Sequence, residues 1–451
     1  MDDRRQILDL FEEQKDFWEK RANEGIEQHR KGDAKIKLTD KDGNPISNAK
    51  IKVNQKSHEF RFGANIFMLD EMETEEKNEK YKKYFADVFN MATLPFYWSA
   101  TEPEMGKTRY EKDSPKMYRR PPIDLCMEFC EKHGIEPREH ALAYDRQFPN
   151  WVSDLSVEEV KRALERRYSE IAERYADKIR TIEVTNEMCW PSEQRKSAFY
   201  DENDFIEWCF KLAEKYFPSN QLGINETQAF PWEGRGRSAD QYYAYIEANM
   251  LKGARIDAIG MQFHSFVRRE REYDRTRMLF NPQNLYQKMD LYSNFGKPLQ
   301  VTEVTIPSYS WEAEDEEIQA EIIDKLYTIW FSHPNMEQII YWNLVDGYAF
   351  VRGNDPEVIK NTRGNMTVGE NYYHGGLLRF DLSPKPAYFK IKELLKERWH
   401  TEEEIVTDEN GVADFRGFFG DYEVEIIADG KKVSESISHR KNGDNNFTLA
   451  I

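Results

Sequence analysis

Between residues 56 and 400, short apolar runs alternate with amphipathic stretches. The runs are FRFGANI (60–66), VFNMATLP (88–95), REHALAY (138–144), IRTIEVTNE (179–187), QLGINE (221–226), IDAIGMQFH (256–264), PLQVTEVT (298–305) and QIIYWNLVD (338–346). Each has the length of a buried strand. Segments such as SVEEVKRALERRYSEIAERYA (156–176) carry the 3.6-residue apolar period of a helix between them. Eight strands with intervening helices over about 340 residues predict an α/β fold, a (β/α)8 barrel. A doubly wound sheet is the competing arrangement. No G-x-G-x-x-G or phosphate-binding loop follows any run, which weakens nucleotide-binding alternatives.

The two ends differ from this middle. Residues 1–33 predict an N-terminal helix, charge-laced and amphipathic over 3–31 with apolar Ile7, Leu10, Phe11 and Phe17. Residues 34–55 then alternate apolar and polar positions on either side of DGNP, a hairpin signature. From residue 401 to 451 the same period-two alternation returns between Gly, Asn and Asp turns. Neither piece is large enough to stand as a sheet alone. The expectation is one small flanking β-sandwich, built from 34–55 and 401–451 beside a 56–400 barrel.

Composition narrows the function. Hydrophobic residues make up 39 % of the 451, and 10 Trp, 24 Tyr and 27 Phe supply both core and potential sugar-stacking surfaces. The net charge of −18, with Lys and Arg interspersed among acids, argues against a nucleic-acid partner. No apolar run spans a bilayer, so no membrane partner is expected. The opening MDDRRQILDLFEEQKDF lacks the apolar core of a signal peptide. That predicts a cytoplasmic protein, or a secreted one if a leader has been removed. Cys126, Cys130, Cys189 and Cys209 form neither a disulfide framework nor a zinc pattern, and no metal or cofactor is expected.

Candidate chemistry lies at two strand ends. IEVTNE ends on Glu187 and LQVTE on Glu303. Catalytic groups in these barrels project from the C-terminal ends of strands, and a carboxylate there is costly to bury unless paired or used. Two facing carboxylates are what glycosidic cleavage needs: one gives a proton to the leaving oxygen, the other attacks the anomeric carbon. Glu187 is the candidate acid/base, expected to hold the resting proton because Glu303 beside it disfavours a second charge. Glu303 is the candidate nucleophile, and Asn186 is placed to bond a sugar hydroxyl.

The surrounding motifs resemble those of glycoside hydrolase family 10, the β-1,4-xylanases. VTNE resembles the family's acid/base motif and VTEVTIPS its nucleophile motif. IDAIGMQFH is similar to I-D-G-I-G-x-Q-x-H, which carries over Gln262 and His264. SATEPEMG (99–106), REHALAYDRQFPNWV and HGGLLRFDLSPKPAYFKI (374–391) resemble further family segments in family order across about residues 55–400. The resemblance implies that His264 supports Glu303, that Gln262 lines the same floor, and that His140 is the strand-three histidine. It also implies that Trp342 forms one wall of the sugar site.

The sequence departs from the family around the glycone. Tyr97 stands where a lysine would be, with no accompanying asparagine. Tyr144 replaces a tryptophan and Asp145 a histidine, Phe350 is the second aromatic of the strand-eight loop, and Thr227 and Gln228 replace a Tyr-Asn pair. The resemblance therefore implies a retaining hydrolase of xylan or decorated xylo-oligosaccharides, with carbohydrate as its partner. The alternatives are another β-linked sugar, or a degenerate barrel that only binds carbohydrate.

Overall fold

A computed structural model describes residues 4–189, 195–233, 240–428 and 431–451. Its centre is a closed barrel of eight parallel strands. They are β3 (Arg61–Asn65), β4 (Met91–Pro95), β5 (Glu136–His140), β6 (Thr181–Asn186), β7 (Gln221–Glu226), β8 (Ala258–His264), β9 (Leu299–Thr305) and β10 (Met336–Tyr341). Neighbours in sequence are neighbours in the barrel, and β10 closes on β3 through Gln338 to Arg61 and Tyr341 to Ala64. Every residue of β4, β6, β8 and β9 is buried. Strands enclosed by the barrel interior on one side and helices on the other read as continuous apolar runs, which is why they were legible.

The helices start where their sequences dictate. Val157–Tyr175 opens with a capping box in which Ser156 and Glu159 bond each other's backbone, a feature worth about 1 kcal/mol. Its buried stripe of Val160, Leu164, Tyr168 and Ile171 faces the barrel.

The N-terminal stretch is three pieces rather than one helix: a 3-10 turn Arg4–Leu8, then helices Asp9–Glu13 and Lys15–His29. The last lies across Ala313–Ser332 and helps to bury fourteen of the twenty residues of that barrel helix. Gly25 permits the approach, since a Cβ there would sit 2.5 Å from the Ser332 carbonyl oxygen.

Seven further strands come from the ends: β1 (Lys31–Thr39), β2 (Lys50–His58), β11 (Glu402–Val406), β12 (Val412–Phe418), β13 (Gly420–Ala428), β14 (Lys431–His439) and β15 (Asn446–Ala450). They form two sheets, β12-β1-β15 and β11-β2-β13-β14. Ile36, Leu38, Ile51, Val53, Phe415 and Val424 share the core between them. One expectation is corrected here. β1 and β2 are not a hairpin but belong to different sheets, so DGNP carries the chain across the sandwich, with Asp40 bonding the amides of Asp42 and Asn44.

Candidate active site

The C-terminal ends of β5 to β10 converge on one aromatic-walled pocket. Glu303 sits within β9 and is 4 % exposed. Its Oε1 accepts a hydrogen bond from Asn225 Nδ2 at 3.1 Å, and Oε2 lies 3.0 Å from His264 Nε2. The other nitrogen of His264 is 2.9 Å from Thr305 Oγ1. Burial pushes His264 down to about 4. The ring is therefore neutral at pH 7, donating through Nε2 to Glu303 and accepting the threonine hydroxyl at Nδ1. Burial pushes Glu303 up to about 8, against the pull of His140 in the other direction.

Glu187 follows β6 in the left-handed region, at φ 55°. A non-glycine residue there is strained by about 1–3 kcal/mol and marks a site held by its surroundings. Here the Glu187 amide donates to Asn225 O at 3.1 Å. Its Oε2 accepts Tyr144 Oη at 2.6 Å and Arg146 Nη1 at 2.8 Å, and Oε1 accepts Gln262 Nε2 at 3.3 Å. Gln262 also donates to Asn186 Oδ1 at 3.2 Å.

His140, at the end of β5, links the pocket to a buried ionic floor. Its Nδ1 donates to Glu183 Oε1 at 2.7 Å, and Nε2 lies 2.9 Å from Tyr97 Oη and 3.9 Å from Glu303 Oε1. Arg138 pairs with the second oxygen of Glu183. Burial works against charge on Glu183, but His140 and Arg138 outweigh it and hold the carboxyl below its usual range. Asn225 joins the two networks by donating to Glu183 and to Glu303, while its own Oδ1 accepts Thr302 Oγ1 at 2.7 Å. Trp342 stands at the centre of the wall, its ring 5.1 Å from Phe67, 5.6 Å from His140 and 5.9 Å from His264.

Nine of the ten candidate residues turn toward one another: Glu187, Glu303, Asn186, His264, Gln262, His140, Trp342, Tyr97 and Tyr144. Asp145 does not. Its carboxylate accepts the amides of Lys196 and Ser197 and the Ser197 hydroxyl at 2.6 Å, so it anchors the 196–197 loop instead of facing a sugar. Sequence reasoning missed Arg146, Asn225, Glu183 and Glu226. Glu226 is buried beside Glu187, accepts the amides of Cys189 and Thr227, and is pushed by burial up to about 8. The readable signal was a polar residue inside an apolar strand: REH in β5, the Glu of TIEV in β6 and the Asn-Glu end of β7.

A parallel (β/α)8 barrel with paired carboxylates at its C-terminal mouth defines a barrel of the glycosidase type. Residues 54–394 match the model of glycosyl hydrolase family 10, and the chain belongs to that family. The anti-sigma-I factor RsgI6 of Acetivibrio thermocellus is 25 % identical over 92 % of this chain and 47 % of its own length. Endo-1,4-beta-xylanase 2 of Arabidopsis thaliana is 24 % identical over 89 % of this chain and 33 % of its own. The chain thus spans half or less of these two relatives. The crystal structure of native xylanase 10B from Thermotoga maritima superimposes with a TM-score of 0.58 at 22 % identity, covering 75 % of this chain and 96 % of that one.

Proposed function

We propose that this chain is a retaining glycoside hydrolase that cleaves β-1,4-xylosidic bonds in xylan or in decorated xylo-oligosaccharides. Residues 56–400 form its catalytic barrel, and 34–55 with 401–451 form a flanking sandwich. The observation that carries the reading is the pair Glu187 and Glu303. Each is held by its own set of donors at the mouth of one barrel, inside a family 10 match. The likeness to a named xylanase supports the substrate class.

In the reactive form the pair carries one proton, on Glu187. In the first step Glu303, as the carboxylate, attacks the anomeric carbon and forms an ester with it, while Glu187 gives that proton to the departing glycosidic oxygen. In the second, Glu187 takes a proton from water, the water oxygen bonds the anomeric carbon, and Glu303 leaves as a carboxylate. Two inversions give net retention. Tyr144 and Arg146 stabilise Glu187 in the charged form it reaches after giving up its proton. Asn225 and His264 stabilise Glu303 when it is released.

A second reading is a barrel that binds carbohydrate without cleaving it, since one similar protein is named as an anti-sigma-I factor and not as a hydrolase. Proton NMR of the first product from an aryl β-xylobioside, together with a Glu303→Ala variant, separates the two. A β-configured product that disappears with the variant supports hydrolysis with retention. An α-configured product overturns retention. Saturable binding of xylo-oligosaccharide with no turnover overturns the enzyme reading.

A further inference from the structure

The family lysine absent at Tyr97 leaves a question of what binds there, and Arg120 lies directly against that position. Its guanidinium carbon is 4.2 Å from the centroid of the Tyr97 ring, 5.2 Å from that of Phe67 and 5.7 Å from that of Phe350. Tyr97 and Phe67 line the same wall as Trp342. Arg120 is 7 % exposed and Arg119 beside it is 3 % exposed.

Neither arginine pairs with an Asp or Glu among the described residues. Arg120 Nη1 donates to the Arg119 carbonyl at 2.8 Å, and Arg119 Nη1 donates to the carbonyl of Tyr348. Arg119 Nε is buried without a partner, and Nε and Nη2 of Arg120 have no hydrogen bond to a described residue. Glu370, the carboxylate that acts on Arg120 electrostatically, is itself bonded by Asn343 Nδ2 at 2.9 Å.

A guanidinium nine-tenths out of water is costly unless a counter-charge meets it. Its planar fork of donors matches a carboxylate, and aromatic faces around it hold the fork in place. The loop is also fixed in advance. Arg109 bonds the carbonyls of Ala100, Pro115 and Arg120, and Pro121 and Pro122 follow. Little ordering is then left to do when a ligand arrives.

We propose that Arg120, backed by Arg119, receives a carboxylate carried by the substrate, so that this site selects a uronic-acid-bearing xylo-oligosaccharide over a neutral one. The acid group lies on the sugar that extends past Tyr97, on the glycone side of the cleaved bond. This rests on the hydrolase reading above, and neutral substrates test that reading separately.

The experiment compares three substrates: a neutral xylo-oligosaccharide, the same oligomer with a glucuronic acid branch on the non-reducing side of the cleaved bond, and the methyl ester of that branch. Wild type is expected to show kcat/KM at least about tenfold higher on the acid than on its ester, with an advantage that shrinks as salt is raised. Arg120→Gln should remove this preference, mostly through KM, and Arg120→Lys should restore part of it. Equal turnover of acid and ester by wild type overturns the proposal, and needs no variant to fold. So does an Arg120→Gln variant that lowers both substrates alike. Failure to cleave any of the three would instead overturn the hydrolase reading.

Discussion

The two carboxylates of this site occupy unlike surroundings. Glu303 is enclosed in a strand and met by neutral donors, Asn225 and His264. Glu187 stands beyond a strand end in a strained backbone conformation, met by a cation and a phenol from the loop after β5. The floor under Glu303 is built from strand residues whose positions the barrel register fixes. The shell around Glu187 depends on a loop. One side of such a site is therefore free to diverge while the other keeps its chemistry.

Removing each side in turn tests this contrast. Glu303→Ala should cost on the order of 10⁴-fold or more in kcat on every substrate, since no ester can form. Measurable turnover of a dinitrophenyl glycoside by that variant would erase the distinction. Glu187→Ala should lose about 10²–10⁴-fold on xylan but little on the dinitrophenyl glycoside, whose leaving group needs no proton. Equal losses on both substrates would show that Glu187 does something other than donate.

His264→Ala and Asn225→Ala should each lower kcat by about 10²-fold with KM little changed, because both donors act on Glu303 and neither reaches a distant sugar. A rise in KM alone would move them into substrate binding. The smallest effect belongs to Arg146→Gln, a change of about three- to tenfold in kcat/KM. An unaltered kcat/KM would make that ion pair incidental.

A stability measurement sharpens the contrast without turnover. Glu303 is raised from 4.5 to about 8, so the folded protein keeps a proton that the unfolded chain gives up across that window. Its contribution is fully present below about pH 4.5 and is lost as pH rises through about 8. The Tm of wild type relative to Glu303→Gln should therefore fall between about pH 5 and about pH 8. A constant difference would mean that the donors around Glu303 offset its burial.

Much of this was readable from the chain because strand burial leaves a one-dimensional trace. The eight apolar runs and the glutamates ending two of them needed only local pattern. The polar links did not. Asn225 serves Glu303, Glu183 serves His140, and Arg146 serves Glu187, each across a separation set by barrel closure. Asp145 shows the reverse error, since its place in a motif said nothing of the Ser197 amide waiting for it. The DGNP turn misled because it has hairpin chemistry, and only the sheet partners of β1 and β2 decide which layer each strand joins.

Those partners also order events during synthesis. Ile36 of β1 pairs with Ala413 and Phe447, and Val53 of β2 pairs with Val424. As the chain leaves the ribosome, both strands emerge early with open edges and apolar faces, and must wait through the whole barrel for their mates. Such long-range closure is slow and exposes aggregation-prone edges in the interval. A nascent chain arrested before β12 would carry β1 and β2 as unsatisfied edges, a natural target for chaperone capture or proteolytic clearance.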